Sequence, residues 1–74
     1  MAYSGFAQIV ESWPRGQAGL AEALKLRQGH VRKWRERDFI PAEYWEELLS
    51  IAPRCGVELD GPTLIRLAAV KRKS

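Results

Sequence analysis

Gln17-Ala-Gly-Leu-Ala-Glu-Ala-Leu-Lys-Leu-Arg-Gln-Gly-His-Val-Arg-Lys-Trp-Arg-Glu-Arg37 is the stretch whose reading decides the fold. Its first half is Ala-rich and amphipathic. Leu20, Ala21 and Leu24 share one helical face, while Gln17, Ala18 and Glu22 look away from it. The pattern breaks at Lys25-Leu26-Arg27 and resumes with Val31 and Trp34 as an inner stripe at i, i+3. The spacing predicts helices over about 17–24 and 28–36, joined by a tight bend that turns Leu26 into the core. Arg27, Gln28, His30, Arg32, Lys33 and Arg35 are left on the remaining circumference of the second helix. Ala21 is small where two helices must cross closely. Gly19 lowers helix propensity, and the sequence offers no reason for it.

The flanks extend the pattern. Phe6, Ile9, Val10 and Trp13 recur at i, i+3, i+4, i+7 and predict a first helix from about Ser4 to Ser12, with Ser4 as candidate N-cap. Pro14 biases Trp13 away from helical backbone and ends it. Asp38-Phe39-Ile40-Pro41 is a connection with apolar anchors, and Pro41 suits the first turn of a fourth helix. In that helix Trp45, Leu48, Leu49 and Ala52 repeat the helical period, and Glu43, Glu46 and Glu47 complement its dipole. Pro53 stops or kinks it, with Gly56 as a cap if it continues through Cys55. Val57-Glu58-Leu59 is too short to classify. Asp60-Gly61-Pro62 opens a fifth helix with Leu64, Leu67 and Ala68 inward. The expected fold is all-α, a compact bundle of about five short helices in one domain, 1–74, with a basic tail at 70–74 expected to be frayed or flexible.

Composition agrees with one small domain. The 74 residues are 46% hydrophobic and include three Trp, two Tyr and two Phe, enough for a compact core with little stability to spare. A single cysteine, Cys55, rules out an intramolecular disulfide and reads as a small buried hydrophobe. No apolar run approaches a membrane span, and Met1-Ala-Tyr-Ser-Gly-Phe6 lacks the layout of a secretory signal. The expected setting is cytoplasmic, with no membrane partner. Charge is sorted along the chain: +4 over 17–37, −4 over 42–60, and +4 again from Arg66 with Lys71-Arg72-Lys73. Such polarity orients a small domain in the field of a polyanion.

Two short helices meeting at a tight bend, the second with an apolar and a basic face, are what a DNA-reading helix-turn-helix requires. In the same register, Gln17–Glu36 resembles the helix-turn-helix of Cro-type phage and prophage transcriptional regulators, a lambda repressor-like fold. The small residue is Ala21, its apolar neighbours are Leu20 and Leu24, and Leu26, Val31 and Trp34 follow. The continuation Val31-Arg-Lys-Trp-Arg-Glu-Arg-Asp-Phe-Ile-Pro-Ala-Glu-Tyr-Trp45 also resembles small prophage regulators, so the likeness covers about 6–69. One departure concerns the bend, often Gly in the family and here Lys25, which must adopt a left-handed or near-left-handed backbone at a cost, or the turn differs locally.

The resemblance places Arg27, Gln28, Gly29, His30, Arg32 and Lys33 against base edges. Gln28 and Arg32 lead that set, since Gln pairs bidentately with adenine and Arg with guanine. Gly29 lets the helix N-terminus approach closely. Gln17, Lys25, Arg35 and Arg37 fall to phosphates, with Lys33 on the border between the two roles. The competing reading of this basic run is a solvated face. His30 has two readings, a bond to DNA or solvent exposure. Trp13, Trp34 and Trp45 read as core. The tail 71–73 is either an arm on phosphates or a solubilising terminus.

The expected function is sequence-specific binding of double-stranded DNA at a palindromic operator. The chain would act as a homodimeric regulator, foremost a repressor that occludes a promoter, without a small-molecule effector. The alternatives are an antitoxin-like or adaptor module that binds protein, and a non-specific binder of nucleic acid or acidic membrane. No enzyme is expected: a phosphate loop, metal-ligand cluster and nucleophile–base spacing are all missing from the sequence, and no cofactor is implied.

Overall fold

The computed structural model describes residues 3–73, with side chains up to Lys71. Five α-helices occur among them: α1 (Phe6–Ser12), α2 (Gly16–Leu24), α3 (Gln28–Arg37), α4 (Trp45–Ile51) and α5 (Gly61–Lys73). Two 3-10 turns, Ala42–Tyr44 and Pro53–Cys55, flank α4. The all-α bundle expected from the helical periods is the fold observed. No helix among the described residues is long and apolar enough to cross a membrane.

The apolar faces converge as their spacing requires. Phe6, Ile9, Val10 and Trp13 from α1, Leu20, Ala21 and Leu24 from α2, and Val31 and Trp34 from α3 are all buried. Ile40, Leu48, Ala52, Leu64 and Leu67 close the core from the other side. The Phe6 ring meets Phe39 edge-on at 5.2 Å and stacks on Trp45 at 6.2 Å. Leu26 at the bend is half-buried and packs against this cluster. Trp45 departs from expectation. It is only half-buried, and its indole N–H donates to the Ile40 carbonyl at 2.7 Å, so one edge faces the core and another lies near the surface. Cys55, Leu49 and Ala68 are likewise half-buried rather than buried.

Helix ends differ from the sequence reading for identifiable reasons. α1 starts at Phe6, not Ser4. The Ser4 N–H and hydroxyl both bond the Gln8 carboxamide oxygen, and the cap comes from the distant Asp38, whose carboxylate accepts the Ala7 N–H at 2.8 Å. α2 begins one residue early, at Gly16, and α3 runs on to Arg37. The expected fourth helix is divided. Pro41 stands before the first 3-10 turn, in extended backbone, instead of inside a helical turn, and Pro53 opens the second turn. The backbone at 71–73 continues α5 instead of fraying. Ser74 and the side chains of Arg72 and Lys73 lie outside the described residues.

The same closure recurs at three helical ends. Lys25, Asp38 and Gly56 adopt left-handed backbone, with φ of 59°, 55° and 72°. At the first, the Leu26 N–H reaches the Ala21 carbonyl and Lys25 reaches Glu22. Phe39 to Trp34 with Asp38 to Arg35, and Val57 to Ala52 with Gly56 to Pro53, repeat the pattern. These paired 6→1 and 5→2 bonds form the Schellman motif, which satisfies carbonyls that a helix end leaves open. The tight turn expected at Lys25 is therefore present, at the backbone cost anticipated for a lysine. Gly19 also gains its reason: a Cβ there would drive into the carbonyl oxygen of Pro14.

The two positions call for opposite stability changes. Gly19→Ala overpacks a backbone contact and is expected to destabilise by about 1–3 kcal/mol. Lys25→Gly removes left-handed strain, partly offset by a more flexible unfolded chain, and is expected to stabilise by about 0.5–1 kcal/mol. Thermal melts followed by circular dichroism check both signs; a lower Tm for Lys25→Gly contradicts the strain argument. Asp60 caps α5 through the Thr63 N–H at 2.9 Å, and hydrogen bonds from Thr63 hold its carboxyl below the usual value. That contribution is present above the unfolded-state value near 3.9 and is lost as pH falls through the lowered folded value. Asp60→Ala should therefore flatten the acid limb of the stability profile.

Candidate nucleic-acid interface

α3 is presented by its two ends. Lys25 and Leu26 set its start through the closure on α2, and Asp38 sets its stop while capping α1. Val31 and Trp34 bury one side against α1 and α2. At about 100° per residue, the opposite side centres on Gly29, Arg32, Lys33 and Glu36. Gln28 and Arg35 lie on one flank, and His30 and Arg37 on the other.

Arg27, Gln28, Gly29, His30, Arg32, Lys33, Arg35 and Arg37 are all exposed, as is Lys25 at the bend. Gln17 is half-buried near the start of α2. Lys25, Arg27, Gly29, His30, Arg32 and Lys33 line one shallow hollow of about 560 Å³ beside the bend. A second hollow, of about 260 Å³, is lined by His30, Lys33, Trp34, Arg37, Phe39 and Pro41. His30 and Lys33 form the ridge between them. Gln17, Gln28 and Arg35 line neither, so the structure gathers most of the expected residues but leaves these three apart.

Little neutralises this face. Arg32 Nε lies 3.8 Å from Glu36 across one turn, both side chains well exposed, a pair worth only about 0.2–0.5 kcal/mol and easily exchanged. Lys33 and Arg37, also one turn apart, are like charges at a spacing that destabilises by a similar amount. Arg27 makes no side-chain cap bond, and the first turn of α3 contains no acid. The His30 and Val31 N–H groups donate to the Arg27 carbonyl, which leaves those of Gln28 and Gly29 at the helix start, where the dipole favours an anion. A Cβ at Gly29 would meet nothing within 4 Å, so no packing constraint in the fold requires glycine there.

His30 is exposed, as one of its two sequence readings has it, but its ring is not free in solvent. Its ring packs edge-on to Trp34 at 5.3 Å and to Tyr44 at 5.5 Å, and its Nε2 lies 3.3 Å from the Tyr44 hydroxyl. Trp34 and Tyr44 rings meet at 4.8 Å. The imidazole is exposed yet held by two aromatic rings and a hydrogen bond. Tyr44 is the residue that sequence reasoning missed. It belongs to a 3-10 turn outside the α3 period, and the only signal was an aromatic residue with no place in the apolar stripe of α4.

Lys71 is exposed on α5, a different element from α3. Among the described residues, no three His, Cys, Asp or Glu side chains gather as a metal site would require. Comparison with family models, curated proteins and solved structures returned no match.

Asp38 carries the placement of α3 relative to α1. Asp38→Ala removes the cap and puts a less tolerant residue in left-handed backbone, for an expected loss of about 1–2 kcal/mol. Chemical denaturation checks the magnitude. Asp38→Asn keeps both features and should lose less than half as much; equal losses would remove the cap from this account.

Proposed function

We propose that the chain is a sequence-specific double-stranded DNA-binding regulator, acting as a homodimer that lays α3 in the major groove and occludes a promoter. The supporting observation is the one-sidedness of α3. Val31 and Trp34 face inward, and the rest of its circumference is exposed and carries Arg27, Gln28, Arg32, Lys33, Arg35 and Arg37. The three-residue turn before it and its open N-terminus are the form in which a helix-turn-helix offers its N-terminal residues to base edges. In this reading Gly29, Arg32 and Lys33, on the outward side, face the bases, and Gln28 reaches them from the flank. Lys25, Arg35 and Arg37 flank them as phosphate contacts, with Gln17 at the start of α2. Glu36 lies two turns from the N-terminus, toward the groove edge, and releases Arg32 at little cost.

Protomer size is compatible with this arrangement. The molecule spans 31 × 24 × 20 Å, and two abutting copies can present equivalent helices about one DNA turn, roughly 34 Å, apart.

Selection from a genomic fragment library, repeated over a salt series, tests the reading. A palindromic site should emerge, with log K falling by about 0.9 per phosphate contact for each unit of log salt. Arg32→Ala should relax preference at one base pair by about 1–3 kcal/mol, whereas Arg37→Ala should weaken all sequences evenly and reduce the salt slope by about 1 per protomer. A uniform affinity without sequence preference supports non-specific binding instead, and no affinity for DNA removes the proposal.

A further inference from the structure

We infer that Tyr44 is a positioning residue for the α3 face: its hydroxyl holds His30 as the neutral Nδ1–H tautomer, which makes the ring a fixed hydrogen-bond donor toward an acceptor on DNA. The use on DNA rests on the function proposed above; the tautomer does not. Tyr44 ends the 3-10 turn Ala42–Tyr44, outside α3. That turn is tied on both sides, by the Tyr44 N–H on the Pro41 carbonyl at 3.0 Å and the Trp45 indole on the Ile40 carbonyl at 2.7 Å. The Tyr44 ring rests on the buried Trp34 at 4.8 Å. The His30 imidazole completes the triangle, nearly perpendicular to both rings at 82° and 78°. Two ring contacts restrict its rotation, and the 3.3 Å approach of Nε2 to the Tyr44 hydroxyl fixes which nitrogen is engaged.

Acid–base chemistry sets the direction of that bond. The lone pair on a neutral imidazole nitrogen accepts more strongly than a phenol oxygen, whose electrons are drawn into its ring. The phenol O–H is in turn a stronger donor than a neutral ring N–H. Tyr44 therefore donates to Nε2, and the bond made by one ring nitrogen decides where the proton stays. It stays on Nδ1, the opposite of the form that predominates in a free histidine side chain. Among the described residues the His30 ring makes no second hydrogen bond, so the Nδ1 proton is left for an incoming group. The ring lines both hollows beside Lys33. Arg27, Lys33 and Arg37 reach these hollows on long chains that lose rotamer freedom when they bind. His30 is ordered beforehand, which reduces that cost.

His30 is the sole histidine, so 15N-histidine labelling of the full chain gives one imidazole spectrum. At about pH 8.5, roughly two units above the ordinary imidazole value, two-bond couplings to the ring protons should show Nε2 unprotonated and Nδ1 protonated. Tyr44→Phe keeps the ring and drops the hydroxyl, and should move the spectrum toward Nε2–H. A wild-type ring that is mainly Nε2–H overturns the inference, as does a Tyr44→Phe spectrum without change. The wild-type spectrum decides the tautomer alone if Tyr44→Phe does not fold. On DNA selected by the wild-type chain, Tyr44→Phe should weaken binding by about two- to tenfold, and His30→Ala by at least as much. The double variant should bind no worse than His30→Ala, because Tyr44 acts through His30; losses that add overturn the positioning role. A loss confined to one base pair identifies a base-edge acceptor, and an even loss across sequences a phosphate oxygen. A chain that ignores DNA removes the regulatory proposal and the use of Nδ1 with it, while the spectrum still decides the tautomer.

Discussion

The arrangement depends on fixing where α3 begins and ends. Both limits are residues in left-handed backbone, Lys25 and Asp38, and neither is glycine. Each holds an energetically unfavourable conformation because the bonds around it leave no alternative. Leu26 and Phe39 return to carbonyls of the preceding helices and pack on the core. Asp38 adds a second constraint through Ala7, 31 positions away in sequence. The register of every side chain on α3 follows from these two corners. A slip of one residue would rotate Val31 and Trp34 out of the core by about 100° and turn cations into it.

This explains why burial and charge separate so cleanly. No charged or polar side chain is buried among the described residues, so the fully buried side chains pack through apolar contact. The ion pairs among the described residues, Arg15 with Glu22 and Arg32 with Glu36, lie on the surface and contribute little. Asp38 and Asp60 cap helices, and the exposed charges on α3 and α4 shape the external field. α3 gathers cations at one place, the start of α4 gathers acids at another, and neither arrangement compromises the interior.

Much of this was legible in the sequence because apolar spacing is a direct record of burial. Phe6 to Trp13, Leu20 to Leu24, Val31 with Trp34, and Leu64 with Leu67 all face where their periods place them. Even the difficult corner at Lys25 followed from the register on either side. What escaped was non-local. The cap on α1 comes from Asp38, a residue no scan near Ser4 would consider. The need for Gly19 depends on how the chain at Pro14 folds back over α2. Tyr44 meets His30 only because the 3-10 turn carries it there. The division of the fourth helix reflects a choice between α and 3-10 hydrogen bonds that apolar spacing does not distinguish. At the candidate interface, the sequence showed which residues share a helix, but not that His30 and Lys33 stand as a ridge between two hollows.

The three tryptophans have different surroundings, and that has an optical consequence. Trp13 is shut inside the core, whereas Trp34 lies beneath His30 and Tyr44, at the back wall of the smaller hollow beside α3. Trp45 borders the cavity at α5. The molecule thus carries one indole as a reporter of its interior, one beneath the exposed face of α3 and one at the cavity beside α5. Emission from Trp34 responds to whatever arrives at α3, and emission from Trp45 to whatever covers α5. Single-tryptophan variants therefore turn the chain into its own pair of fluorescent probes, able to register the two events independently and without an attached label.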